Sequence, residues 1–574
     1  MSISLARPHN TPPIVWSIAG SDPCGGAGVQ ADLKTITALG AHACTIITSV
    51  TAQNSGAVSG FESVSPALLA AQIDALRDDM PPKAIKIGML GNAASVRVLA
   101  QKCASLGVYT IYDPVMISSS GAALLDDETL AALRSDLLPH IDLLTPNGAE
   151  ATALTGIALT SDAAVEQAAK KLRQLGAKSV LIKGWNSGAG FVQDYFYDGA
   201  TGFWLTLPTY NADENPKDHK HSTIPLPCGE GLGAGLRQPS DTVLDRLDKP
   251  NQHPAPNPSP QGRGVPMRGF ILNTTDQLIP RGTGCAFASA IAAAYAHGHE
   301  VADATVIAKA YVHRCIRTAK PVGKGFPIAQ HEAWPVGEED FPWLTMTAES
   351  GRTCTVFPDC GAEPLGFYPV VDSLAWLQRL LPLGVRTAQL RVKNLHGAAL
   401  EEEIRQAILL ARTHDTRLFI NDYWELAIKH RAYGVHLGQE DLDSADIAAL
   451  QASGLRLGIS THAYAEAARA HALRPSYIAL GPIFPTTLKS MRFAPQGVDT
   501  LRIWRQLLPY PLVAIGGIKL EQAQSLYAAG ADSIAVVSDI TQNADPEGRV
   551  REWLKLTKMR EWAVGKGDRL TSFS

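Results

Sequence analysis

Two stretches of this chain carry residues whose types and spacing suit phosphate chemistry. In "PRGTGCAFASAIAAAYA", Gly282, Thr283, Gly284 and Cys285 stand at the mouth of an Ala-rich run. Two glycines around a threonine let the backbone turn tightly and expose successive N–H groups. The run from Ala286 to Ala296 is strong helix-forming material whose N-terminus carries partial positive charge. An anion is expected to settle there, although an ordinary glycine turn before a buried helix has the same sequence. The second stretch holds Gln389, Arg391 and Lys393 at i, i+2 and i+4. On a strand, all three side chains point to one face, and two cations with an amide suit an anion. A surface strand with polar residues turned outward reads the same way. Asn421 and Asp422 end a later apolar run, and Asp441 follows the next one in "HLGQED". Two carboxylates converging beside Arg and Lys are hard oxygen ligands of the kind a Mg2+–diphosphate site uses.

These residues need elements to position them. With 574 residues the chain is long enough for two or more domains, and 45% hydrophobic with 18% charged residues allows each a full core. From Ile14 short β-like runs ("IVWSIAG", "ACTIITSV", "AIKIGML", "YTIYDPVM", "DLLTPN", "SVLIKG") alternate with Ala- and Leu-rich helical stretches, which predicts a parallel α/β sheet covered by helices. Between Pro208 and Pro280 the pattern breaks into Pro, Gly, His, Asn and Asp, and about 211–267 reads as a disordered or loosely folded insertion. A first domain is expected over 12–330, a linker over 331–365 and a second domain over 366–560. That second domain has eight apolar runs ("FYPVVD", "TAQLRVK", "LFIND", "GVHLG", "RLGIST", "YIALGP", "PLVAIGG", "SIAVVS") separated by amphipathic stretches. Eight β/α units predict a TIM (β/α)8 barrel, with its chemistry at the C-terminal ends of the strands. There Ser460 closes the fifth strand, "PTTLK" follows the sixth, Gly516 and Gly517 end the seventh, and Val537 and Ser538 end the eighth. Gly-rich turns after the last two strands form the phosphate pocket of this architecture.

Composition narrows the partners. A formal net charge of -4, with no basic stripe or polybasic run, gives no reason to expect nucleic acid or an anionic membrane. The eight cysteines lack paired CxxC spacing, the first residues lack the apolar core of a signal peptide, and no run approaches a membrane span. A soluble protein of a reducing cytoplasm acting on small molecules is expected, with homo-oligomerisation left open.

The barrel motifs taken in order, "GFYPVVDS", "QLRVK", "LFINDYWELAIKHRAYGVHLGQEDL", "LGIST", "IALGPIFPT", "APQG", "AIGGI" and "IAVVS", resemble the thiamine-phosphate synthase family. The resemblance implies condensation of hydroxymethylpyrimidine diphosphate with thiazole phosphate and release of diphosphate. It further implies that Gln389, Arg391, Lys393, Asn421, Ser460 and Lys489 hold the pyrimidine diphosphate and that Asp422 and Asp441 hold Mg2+. The loop Thr486, Thr487, Leu488, together with Gly517, Val537 and Ser538, would hold the thiazole phosphate. Leu488 stands where the family commonly has a hydroxyl residue, so a weaker thiazole phosphate site is expected.

The earlier motifs, "SIAGSDPCGGAGVQADLKTITALGA", "SVTAQNSGAV", "KIGML", "YDPVM", "LTPNGAEA", "LIKG" and "GTGC", resemble hydroxymethylpyrimidine/phosphomethylpyrimidine kinases of the ribokinase-like fold. The resemblance implies ATP as phosphoryl donor and a substrate pocket at Gly20, Asp32, Gln53, Met89 and Val115. Gln53 suits the donor and acceptor edge of an aminopyrimidine. No Walker A sequence exists in the chain, so phosphate binding falls to Gly282, Thr283 and Gly284. Cys285, at a helix N-terminus, is expected to have a lowered pKa and to act as base toward the substrate hydroxyl; a buried structural thiol is the competing reading. Asn147 and Glu150 would organise Mg2+ through water or cap a helix, and Lys183 would touch the ATP phosphates. Arg281 replaces the histidine usual before this turn. A bifunctional enzyme of thiamine biosynthesis is expected, against a pyridoxal-type kinase with a thiazole-isomerising barrel, or a non-catalytic precursor sensor.

Overall fold

The structure is a computed structural model that describes residues 11–116, 125–186, 190–209, 280–348, 356–361, 363–486 and 493–565, with side chains as far as 558. The expected insertion at about 211–267 lies outside the described residues.

The first half builds one ten-stranded sheet from β1 (Ile14–Ser21), β2 (His42–Gln53), β3 (Val58–Ser63), β4 (Ala84–Ile87), β5 (Tyr109–Tyr112), β6 (Leu143–Leu144), β7 (Ser179–Trp185), β8 (Phe191–Tyr197), β9 (Gly202–Pro208) and β10 (Trp343–Thr345). Spatially the order is β10-β9-β8-β7-β6-β5-β4-β1-β2-β3. The six strands the sequence marks, β1, β2 and β4 to β7, pair in parallel as expected. The antiparallel flanks β3 and β8 to β10 are additional. Their pairing is a tertiary outcome that periodicity alone does not forecast. β1 and β4 are nearly continuous buried runs because helices cover the sheet on both faces.

The expected linker at 331–365 is corrected in part. Trp343, Leu344 and Thr345 pair with Thr206, Leu205 and Trp204 of β9, and Trp334, Val336 and Phe341 are buried. Four large apolar side chains within ten residues are too costly to leave in water, so the segment packs as an edge of the sheet.

The second half closes an eight-stranded parallel barrel: β11 (Gly366–Val371), β12 (Thr387–Leu390), β13 (Arg417–Asn421), β14 (Gly434–Leu437), β15 (Arg456–Thr461), β16 (Tyr477–Leu480), β17 (Leu512–Ile515) and β18 (Ser533–Val536). All eight runs read from the sequence form these strands. Large and small residues interdigitate inside: a methyl on Gly434 would come within 2.5 Å of the Phe419 ring, and one on Gly458 within 2.1 Å of Tyr477. Sheet and barrel share packed contacts. Asp303, on the helix Val301–Arg317, accepts from the backbone N–H of Ala465 at the start of the helix Tyr464–Leu473, at 2.8 Å. Tyr464 lies between the rings of Trp334 and Trp504. Burial pushes the Asp303 carboxyl up to about 7. Among the described residues no helix is long and apolar enough to cross a membrane.

Candidate active sites

In the sheet domain, the turn before the helix Thr283–Ala296 and the glycine loop after β1 interlock. Gly282 caps the helix at φ +83°, and a methyl there would stand 1.9 Å from the carbonyl oxygen of Gly26. Gly28, at φ +57°, has the same relation to the Gly20 carbonyl at 2.2 Å. Asp22 fixes the loop by accepting from the N–H groups of Cys24, Gly26 and Ala27. The two glycine segments therefore close on each other with no room for Cβ atoms. Met89 borders Gly20, with its sulfur 3.2 Å from where a Cβ on that glycine would stand. Val115, half-buried, follows Asp113 at the end of β5.

Charged groups gather beneath the helix start. Asp32 is fully buried; Lys86 Nζ donates to both its oxygens at 2.9 and 2.8 Å, Ser17 Oγ to Oδ2 at 2.6 Å and Ser289 Oγ to Oδ1 at 2.8 Å. The carboxylate expected at the substrate is thus engaged by the protein and anchors Lys86. Lys183 Nζ donates to Asp113 Oδ1 at 2.6 Å, close enough to the turn that a methyl on Gly284 would lie 3.4 Å from the ammonium. Asn147 and Glu150 form a reciprocal capping box, Asn147 Oδ1 accepting from the Glu150 N–H at 2.9 Å and Glu150 Oε2 from the Asn147 N–H at 2.8 Å. Burial and then Asp113 push the Glu150 carboxyl up to about 7, with Lys183 opposing.

The expectation of an acidified Cys285 is corrected. Burial, chiefly, pushes the thiol up to about 11; Asp32 and Asp113 add to the rise, while Lys86 and the Gly28 backbone oppose it. Desolvation disfavours a thiolate more than the helix N-terminus favours it. Sequence reasoning named neither Lys86 nor Asp113 as a site residue. Both had a signal: "AIKIG" places one lysine in an otherwise apolar strand, which demands a buried counter-ion, and "YDPVM" ends a strand on an aspartate.

In the barrel, Gln389 is buried on β12, whereas the strand ends at Leu390, so Arg391 and Lys393 extend from its C-terminal end as exposed residues. Lys393 forms an ion pair with Asp422. Asp422 adopts φ +65° just after β13, beside the buried Asn421. Asp441 Oδ2 accepts from the Gly438 N–H at 2.9 Å, and burial followed by the nearness of Asp422 raises its carboxyl. The two carboxylates and the lysine thus meet at the open end, as the sequence spacing predicts. Among the described residues no group of three or more His, Cys, Asp or Glu side chains gathers as a metal cage.

Beneath them runs a polar ladder that sequence reasoning did not find. Gln389 Nε2 donates to Tyr368 OH at 3.3 Å; Tyr368 OH meets Tyr477 OH at 2.9 Å; Tyr477 OH meets His436 Nδ1 at 2.7 Å; and His436 Nε2 meets Ser460 Oγ at 2.7 Å. Burial lowers His436 to about 4, so it is neutral and one ring nitrogen must accept. On the far side, Gly517 at φ +68° lets the seventh-strand turn press against the sixth-strand loop, where a methyl would stand 2.4 Å from the Pro485 carbonyl oxygen. Val537 precedes a short helix that Ser538 begins, and both are half-buried. Thr486 is half-buried at the end of the described loop, while Thr487, Leu488 and Lys489 lie outside the described residues.

Residues 22–216 and 269–329 match the family model of phosphomethylpyrimidine kinase, and residues 367–540 match that of thiamine monophosphate synthase. The thiamine-phosphate synthase of Salmonella choleraesuis is 55% identical over 214 residues, covering 37% of this chain and 98% of that protein. That of Photorhabdus laumondii is 62% identical over 182 residues, covering 32% of this chain and 84% of that protein. Among solved structures, a phosphomethylpyrimidine kinase from Clostridium difficile aligns at 26% identity over 52% of this chain and 97% of its own, with a TM-score of 0.37.

Proposed function

Since the chain belongs through its barrel to the thiamine-phosphate synthase family, we propose that its two sites perform consecutive steps of thiamine biosynthesis. The sheet domain uses ATP to phosphorylate 4-amino-5-hydroxymethyl-2-methylpyrimidine and then its monophosphate. The barrel joins the resulting diphosphate to 4-methyl-5-(2-phosphoethyl)thiazole, giving thiamine phosphate and diphosphate. The observation that carries the reading is the meeting of Asp422, Asp441 and Lys393 at the open end of the barrel, above the buried amide of Gln389. One product is the other site's substrate, which makes the fusion chemically coherent.

In the barrel, the pyrimidine CH2–O bond breaks with its electron pair leaving on the diphosphate, and the electron-rich aminopyrimidine stabilises the cation. The thiazole nitrogen then supplies its lone pair to form the C–N bond, so no general base is needed. Lys393 and Arg391 stabilise the growing negative charge. Gln389, with its NH2 engaged by Tyr368, turns its carbonyl oxygen to the substrate amine. Asp422 and Asp441 fit Mg2+, because two adjacent carboxylates, one of them raised by burial and then by its neighbour, favour a shared cation, and Mg2+ commonly takes one or two carboxylates plus substrate phosphates. When bound, the ion supplies charge neutralisation to the diphosphate. Thr486, Gly517, Val537 and Ser538, with Thr487 and Leu488, are assigned to the thiazole phosphate, and Lys489 to the pyrimidine diphosphate.

In the kinase site the N–H groups of Gly282, Thr283 and Gly284 cradle the transferred phosphoryl group, with Lys183 beside them. The capping box of Asn147 and Glu150 holds that side of the site, and the pair is assigned to organising a hydrated Mg2+. Cys285 takes the hydroxyl proton, and a thiol pushed up to about 11 is overwhelmingly protonated at neutral pH. The reactive fraction therefore grows about tenfold per pH unit below that value. Where proton removal limits turnover, kinase kcat is expected to climb with pH across the weakly alkaline range, and Cys285→Ala to flatten the climb. Equal slopes in the two enzymes assign the proton to another group.

The whole reading is tested by one coupled assay. Incubated with ATP, Mg2+, the hydroxymethylpyrimidine and thiazole phosphate, the purified chain is expected to form thiamine phosphate. Formation only from presynthesised pyrimidine diphosphate would leave the barrel active and reject the kinase assignment. The protein acts as a soluble cytoplasmic enzyme on small molecules, without nucleic acid or membrane partners.

A further inference from the structure

Arg281 is the least expected side chain of the kinase site. It is 4% exposed, lies four residues before Cys285, and joins three segments. Its backbone N–H donates to the Pro327 carbonyl at 2.9 Å, its Nη1 to the Asn54 carbonyl, and its Nη2 to Gln53 Oε1 at 2.5 Å. The loop it grips is also held from the far side: Phe326 N–H donates to the Ser55 carbonyl and Gly325 N–H to Ser55 Oγ, each at 3.0 Å. Among the described residues Arg281 has no carboxylate partner, and its buried Nε makes no hydrogen bond. A cation is thus held inside the site by an amide and a carbonyl. Gln53 itself sits on β2 two residues beyond Thr51, whose hydroxyl donates to the Ser21 carbonyl of the glycine loop at 2.8 Å.

A guanidinium has donors only, so the Gln53 atom facing it must be the oxygen. The amide cannot turn over without placing NH2 against N–H, and its NH2 is therefore directed away from Arg281. Resting on the kinase reading above, we infer that Arg281 is a specificity-determining positioning residue: it fixes Gln53 so that the amide offers its NH2 to a ring-nitrogen acceptor of the substrate. Unconstrained, the amide could present either edge to either pattern. Locked, it selects heteroaromatic rings with an acceptor at that position and penalises rings that carry C–H there, because the NH2 then loses its partner.

The test compares kcat/KM for the hydroxymethylpyrimidine and for its analogue with C–H in place of the ring nitrogen next to the amino-bearing carbon. The parental enzyme is expected to favour the natural ring by about tenfold or more. In Arg281→Met that ratio falls toward one through a higher KM for the natural substrate, with kcat little changed, and Arg281→Lys, which keeps a donor, restores part of it. Equal losses on both compounds, or an unchanged ratio, overturn the inference. Should the Met variant fail to fold, Gln53→Glu decides: a carboxylate paired with Arg281 offers no NH2, so retention of the parental ratio overturns the inference as well. A parental chain that phosphorylates neither compound would remove the kinase reading itself, an outcome distinct from a working kinase that does not discriminate.

Discussion

Asp422→Asn and Asp441→Ala are each expected to lower thiamine phosphate formation from presynthesised pyrimidine diphosphate by on the order of 10²–10³, the scale of losing one preorganised charge-stabilising group. Phosphorylation of the hydroxymethylpyrimidine should proceed at its parental rate. Asparagine is the informative replacement at Asp422. The residue holds φ +65°, a conformation that Asn tolerates and Ala does not, so the Asn variant keeps the backbone while removing the charge. It also releases Lys393 from its ion pair. If the carboxylate served only to hold Lys393 away from the diphosphate, Asn would raise activity. Its loss at constant phosphorylation therefore separates a Mg2+ ligand from a restraint. Undiminished condensation in either variant would refute the assignment.

The converse experiment silences the other site. Gly282→Ala introduces a methyl 1.9 Å from the Gly26 carbonyl oxygen at a residue with φ +83°. Either strain is enough to move the turn, since the left-handed conformation alone costs a residue with a Cβ about 1–2 kcal/mol. Relief of the clash needs a shift near 1 Å, and a displacement of about that size in a positioning group costs about 10²-fold in rate. Kinase turnover should fall at least that far, while the barrel retains full condensation on supplied diphosphate. Steady-state kinetics of both half-reactions on one preparation measure it. Parental kinase turnover would mean that the turn does not cradle the transferred phosphoryl group.

Local pattern and spacing carried a large part of this protein. The eight barrel strands were legible because each is a short apolar run with helical stretches on either side, and buried parallel strands can be little else. Asp422 and Asp441 were legible because residues that follow a barrel strand stand at its C-terminal mouth, whereas Lys393, read as part of the second strand, lies beyond that strand's end at Leu390. The Gly-Thr-Gly-Cys turn marked its own helix start. What the tertiary structure decided depends on groups far apart in the chain. Lys86 and Asp32 are 54 residues apart and meet only when the sheet closes. The ladder from Gln389 to Ser460 draws on five different strands. Arg281 departs from the familiar pattern, yet its grip on Gln53 spans 228 positions. Trp343 to Thr345 looked like a connector because three residues have no readable period, and only the free edge of β9 makes them a strand. Cys285 shows the division within one residue. Its place at a helix N-terminus is a local property and pointed to an acidic thiol, whereas its pKa follows from the burial that the whole fold imposes, and desolvation is the larger effect.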